Sequence, residues 1–131
     1  MIELLVVAIG GGLGAAARFM VDAEIRSRHS GGFPWGTFVV NVVGSLLIGL
    51  FSTLFFALMN RGVPGDLAHL LQLALTVGLC GGFTTFSTAT VESVRLARSG
   101  RLRLALANTL GTLAITVMAA GLGVAVGGLF G

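Results

Sequence analysis

The sequence predicts an all-α membrane protein of four transmembrane helices, the third of them broken, and three observations carry that prediction. Hydrophobic residues fill 55% of the 131 positions, charged residues only 10%, and mean hydropathy is +0.99. The apolar residues fall in runs at about 4–25, 36–59, 67–92 and 102–130. Each is long enough to cross a hydrocarbon core of about 30 Å at about 1.5 Å per residue. Third, a glycine cluster from Gly78 to Gly82 passes straight into Phe83-Thr84-Thr85-Phe86-Ser87-Thr88 inside an otherwise lipid-soluble run. Irregular backbone at membrane depth survives only where protein or a cavity covers it, so this stretch predicts a helix break and points to transport. The connections, His29 to Pro34 and Asn60 to Asp66, are short. A single domain over 1–131 follows, with no soluble domain or low-complexity tract.

Helix 1 is distinguished from a secretory signal by Glu3, where a signal carries basic residues, and by the length of its apolar run. Its spacings Gly10 to Gly14 and Gly11 to Ala15 are small-residue faces of the kind that let helices approach closely, as are Gly78 to Gly82 and Gly123 to Gly127 further on. The glycines of helix 1 also fit a loose dinucleotide-binding pattern, but that motif needs a strand and a βαβ unit that this chain has no room for. Arg18, inside helix 1, is read equally well as snorkelling to the interface or as drawing anions into a vestibule.

Helix 2 opens with Pro34, suited to a helix start, and Trp35, suited to the membrane interface. Asn41 follows about one turn further in, with Ser45 on the same face. An asparagine in this place either bridges helices or donates to a partly dehydrated anion; its own residue chemistry favours the bridge.

In helix 3, Phe83 and Phe86 stand three apart with Thr84, Ser87 and Thr88 interleaved, which predicts a side that alternates ring edges with hydroxyls. Ring edges carry positive quadrupole charge, so such a side can receive an anion without a fixed cation that would trap it. Glu92 reads most simply as capping or solvating the helix boundary, with a role in a vestibule as the other reading. In helix 4, Asn108, Thr112 and Thr116 fall at i, i+4 and i+8, a stripe that is either a polar track or helix-bonding glue.

All eight basic residues are arginines, gathered at helix ends apart from Arg18. A net charge of +3 therefore reads as membrane topology rather than nucleic-acid binding. Arg26, Arg28, Arg95, Arg98, Arg101 and Arg103 lie on the side of the first and third connections, against Arg61 alone on the other. The positive-inside rule places those two connections in the cytoplasm and both termini outside. The lone Cys80 excludes an internal disulfide and reads as a small packing residue. No nucleophile, base and metal-ligand set converges, so an enzyme is not expected.

Gly10 to Arg18 with Phe19, Gly36-Thr37-Phe38 through Asn41 to Gly44, and Gly81-Gly82-Phe83-Thr84-Thr85-Phe86-Ser87-Thr88 through Glu92 together resemble the CrcB/Fluc fluoride channels, in order and over essentially the whole chain. The resemblance implies a passive, fluoride-selective channel of the bacterial inner membrane that lets cytoplasmic fluoride leave before it inhibits enzymes. It also implies an antiparallel dimer with two pores. On it, Asn41, Phe86, Ser87, Thr88, Thr112 and Thr116 correspond to fluoride-pathway positions, with Asn108 in the helix 4 track and Arg18 at a vestibule. The backbone carbonyls of Gly81 and Thr84 correspond to those holding a structural sodium ion (Na+) at the dimer centre, where two copies complete the ligand set.

The chain departs from the family pattern at Ala89, where a second phenylalanine is expected three residues after Phe86. Together with the arginine bias, which argues for one fixed orientation, this points to pairing with an oppositely oriented paralogue rather than with itself. Two other classes stay in view. A small proton-coupled multidrug exporter needs a carboxylate within the membrane, and Glu3 and Asp22 sit too near the ends of helix 1. A noncatalytic membrane scaffold needs only that the polar stripes join helices.

Overall fold

A computed structural model describes residues 1–130; Gly131, the last residue of the predicted domain, lies outside the described residues. Four helices are long and apolar enough to cross a membrane: α1 Ile2–Arg28, α2 Trp35–Asn60, α3 Gly65–Arg98 and α4 Leu102–Gly128. Among the described residues there is no strand. The first three helices run one to a few residues beyond their apolar runs, so Arg26, Arg28, Arg95 and Arg98 sit in last helical turns rather than in connections. Cations there face the negative end of the helix dipole.

The packing follows the rule for lipid, where burying apolar side chains gives no advantage and close backbone contact replaces it. Gly10 and Gly14 of α1 are buried against α3, and a Cβ at either would collide with the carbonyl of Ala74 or Leu79. From the other side, a Cβ at Gly82 would strike the carbonyl of Gly11. Gly49 on α2 and Gly123 on α4 are seated in the same way against the carbonyls of Ala120 and Leu46. Large apolar side chains such as Leu13, Phe56 and Met118 are exposed on the outside of the bundle, where lipid or another chain solvates them.

The third helix is interrupted, but not within the glycines. Its first arm runs Gly65–Gln72, passes through a π-helical stretch Leu73–Cys80 and closes with one turn Gly81–Phe83. Thr84 and Thr85 are extended, and the second arm Phe86–Arg98 begins anew. The glycines stay helical because their use is the seam with α1. The break falls instead at two threonines, whose β-branched side chains suit extended backbone. A second π-helical stretch, Ala107–Gly111, opens α4. Neither π stretch is legible in the hydrophobic pattern, since each depends on how the helix meets its neighbours.

Candidate functional site: an uncharged cavity at the helix break

Breaking a helix inside a membrane frees backbone groups that have no water to turn to, so their new partners define the site. Thr85 N–H donates to Asn41 Oδ1 at 2.7 Å, and Asn41 Nδ2 donates back to the Thr85 carbonyl at 2.9 Å. One amide side chain thus satisfies both backbone groups of one residue. Thr85 Oγ1 accepts from the Thr88 N–H at 3.2 Å and donates to Thr88 Oγ1 at 3.0 Å, which makes Thr85 the N-cap of the second arm. Thr84 Oγ1 donates to the Cys80 carbonyl at 3.0 Å, closing the first arm. Arg18 Nε donates to the Gly82 carbonyl at 3.2 Å, so this arginine ties α1 to the turn before the break.

Beside the break lies an open cavity of about 540 Å³ between α2, the second arm of α3 and α4. Asn41, Phe86, Asn108, Thr112 and Thr116, read separately from three helices, all line it, as does Ser45. No charged side chain is among its lining residues, and the carboxylate that a proton-coupled exporter needs is therefore not in this cavity. Asn108 is 1% exposed and donates through Nδ2 to Ser93 Oγ at 2.9 Å and to the Ala89 carbonyl at 3.2 Å. Thr109 Oγ1 donates to Ser93 Oγ at 3.0 Å, and Thr116 Oγ1 to the Thr112 carbonyl at 2.7 Å. The stripe on α4 therefore does both things expected of it: it lines the cavity and it bonds helices. Ser93 and Thr109 were not singled out in the sequence; the spacing of Ser93 from Ala89 by one turn of α3 is the signal that carried it.

Several expected positions fall elsewhere. Ser87 and Thr88 do not line the cavity, and Thr88 is engaged in the cap of the second arm. Arg18 is not among the lining residues either, being committed to Gly82. Phe83 and Phe86 do not share one helix face, because the break separates them. Phe86 opens the second arm 86% exposed, at the mouth of the cavity. Gly81 lies in the helical turn before the break rather than in unwound backbone; it is exposed, with nothing near where a side chain would be. Extended Thr84 turns its carbonyl out of the helical run. Glu92 is not a boundary cap: it stands within the second arm with its side chain 12% exposed, and its Oε1 accepts from Arg26 Nη2 at 2.6 Å. Among the described residues, no three His, Cys, Asp or Glu side chains gather to hold a metal ion, so any cation here would be held by carbonyl or hydroxyl oxygens.

Four membrane-spanning helices, a stapled break in the third and an uncharged cavity beside it, lined by amides and hydroxyls among apolar side chains, define a multi-pass membrane protein of the kind that handles a small solute at mid-membrane depth. Comparison with known proteins gives the family. The family described as "CrcB-like protein, Camphor Resistance (CrcB)" matches residues 5–124, and the chain belongs to it. The chain is 44% identical over 126 residues to a protein of Leifsonia xyli subsp. xyli named fluoride-specific ion channel FluC 1, covering 96% of this chain and 87% of that one. It is 45% identical over 124 residues to fluoride-specific ion channel FluC 2 of Cutibacterium acnes, covering 95% and 96%. A protein of Syntrophotalea carbinolica named fluoride-specific ion channel FluC is 40% identical over 122 residues, covering 93% and 94%.

Proposed function

We propose that this chain is a channel subunit that conducts fluoride passively out of the cytoplasm across the bacterial plasma membrane, rather than an enzyme. The observation that carries the reading is the uncharged lining of the cavity beside the break, where the amide and hydroxyl side chains of Asn41, Asn108, Thr112 and Thr116, bonded to protein partners in this structure, come together with the exposed ring of Phe86. Fluoride is small and strongly hydrated, so its shell must be replaced by donors, yet a fixed cation would hold it too well for conduction. Amides, hydroxyls and a ring edge supply the first without the second. The names of the relatives supply the identity of the ion.

An antiparallel dimer completes the reading. Phe86 and Gly81 are both exposed at the break, and four helices that leave a polar cavity open on one side need a further surface to close it. A structural sodium ion fits the same arrangement. Extended Thr84 and exposed Gly81 offer hard carbonyl oxygens, suited to a hard cation, but one chain offers too few and a second copy would double them. When bound, the ion would fix the two breaks against each other. The chain's own residues do the rest: Asn41 holds the break open, and Arg18 holds the preceding turn to α1.

The test is fluoride efflux from liposomes carrying the folded protein, with chloride efflux as control. Fluoride-selective efflux from this chain alone makes the channel a homodimer that tolerates Ala89. Efflux that appears only on co-reconstitution with an oppositely oriented relative makes it one half of a heterodimer, as the arginine bias and Ala89 favour. No fluoride efflux in either preparation would overturn the proposal.

A further inference from the structure

A second cavity, also of about 540 Å³, opens at the arginine-rich end of the bundle, between the last turn of α1, the α1–α2 connection, the end of α3 and the start of α4. Its chemistry is unlike that of the first: three arginines, Arg26, Arg95 and Arg101, stand in its lining against one carboxylate, Glu92. Arg26 is already committed, with Nε on the Asp22 carboxylate at 2.8 Å and Nη2 on Glu92 at 2.6 Å. Arg95 and Arg101 form no ion pair among the described residues. The Arg101 guanidinium lies over Gly32, where a Cβ would collide with its Nη1, so the connection leaves room for that group to reach the cavity. Glu92 keeps one buried carboxylate oxygen, Oε2, without a protein hydrogen-bond partner. The rim is aromatic: Phe33 and Trp35 pack with ring centroids 4.7 Å apart, and Trp35 is 44% exposed at the start of α2.

We infer that this cavity is a binding site for a phosphate group, presented by the headgroup of a phospholipid such as phosphatidylglycerol. Two uncommitted guanidiniums match the paired oxygens of a phosphate through charge-assisted hydrogen bonds. Glu92 is the one carboxylate in the lining and its Oε1 is neutralised by Arg26, so the charge left to meet a ligand is that of Arg95 and Arg101. Trp35 sets the depth, since amphipathic Trp rings at a helix end lie at the level of the headgroups, and Phe33 packs against it. None of this rests on the polar cavity at the break, and the site holds whether or not the chain conducts fluoride alone.

Trp35 is the only tryptophan in the chain and lies in the cavity lining, so its fluorescence reports on this site specifically. The experiment titrates the full-length protein in detergent with short-chain phosphatidylglycerol, with phosphatidylcholine of the same chain length, and with inorganic phosphate. Phosphatidylglycerol is expected to shift Trp35 emission saturably, at a concentration at least about tenfold lower than phosphatidylcholine. The double variant Arg95→Gln/Arg101→Gln, which removes two exposed charges and leaves the Arg26 ion pairs intact, is expected to lose that difference. Arg103→Gln, at the same end but outside the lining, is expected to keep it. An equal shift with inorganic phosphate at the same concentration would uphold the phosphate site and assign its source to solution rather than lipid. Equal affinity for the two lipids, no shift with any probe, or equal loss in Arg103→Gln and the double variant would overturn the inference.

Discussion

The two buried asparagines, Asn41 and Asn108, look alike in sequence and do different work. Both sit in apolar helices, both line the same cavity, and they are 8% and 1% exposed. Asn41 spends its amide on backbone: the N–H and carbonyl of Thr85 have it as their partner across 44 residues of chain. Asn108 spends its amide on a network that has other members. The Ala89 carbonyl it reaches also accepts from Ser93 Oγ at 2.9 Å, and Ser93 Oγ also accepts from Thr109. The lesson is that burial alone does not rank a polar group; what its partners could do without it does.

That contrast can be broken by experiment. Asn41→Leu keeps the side chain's volume but strands both backbone groups of Thr85 in an apolar setting, at about 1–3 kcal/mol each, so a loss of about 2–6 kcal/mol is expected. Thermal unfolding in detergent reads this as a large fall in midpoint, and fluoride efflux is expected to be lost with it. Asn108→Leu leaves Ser93 bonded to the Ala89 carbonyl and is expected to cost about 1–2 kcal/mol in the same assay. Were Asn108→Leu the more damaging of the two, the distinction between a unique and a redundant partner would fail. Thr85→Val sharpens the same point at the smallest scale. It removes the N-cap oxygen from the second arm but leaves both Asn41 bonds, which use Thr85 backbone, and about 1 kcal/mol is expected. A loss matching Asn41→Leu would mean that the cap, not the amide, holds the break.

Much of the architecture was legible in the chain. The four spans follow from apolar runs whose length matches a bilayer, and the helix ends moved only by a few residues. The stretch Gly78 to Thr88 predicts the break, and the structure places it at Thr84 and Thr85 within that stretch, because the glycine spacings serve the packing seam and stay helical. Asn108, Thr112 and Thr116 were found because helical periodicity is a local property. Ser93 and Thr109 were overlooked because their role exists only where α3 meets α4. Glu92 was misplaced for the same reason: its partner Arg26 is 66 residues away.

What the sequence determined by itself is therefore the solvent, the number of crossings and the polar face of each helix, all of which depend on residue type and spacing along one axis. The tertiary structure alone decided which freed backbone group meets which side chain, where within its stretch the third helix opens, and that Asn41, Asn108, Thr112 and Thr116 share one uncharged cavity while three of the arginines line another. Those outcomes are set by contacts between residues far apart in the chain, and a one-dimensional pattern holds no record of which faces meet.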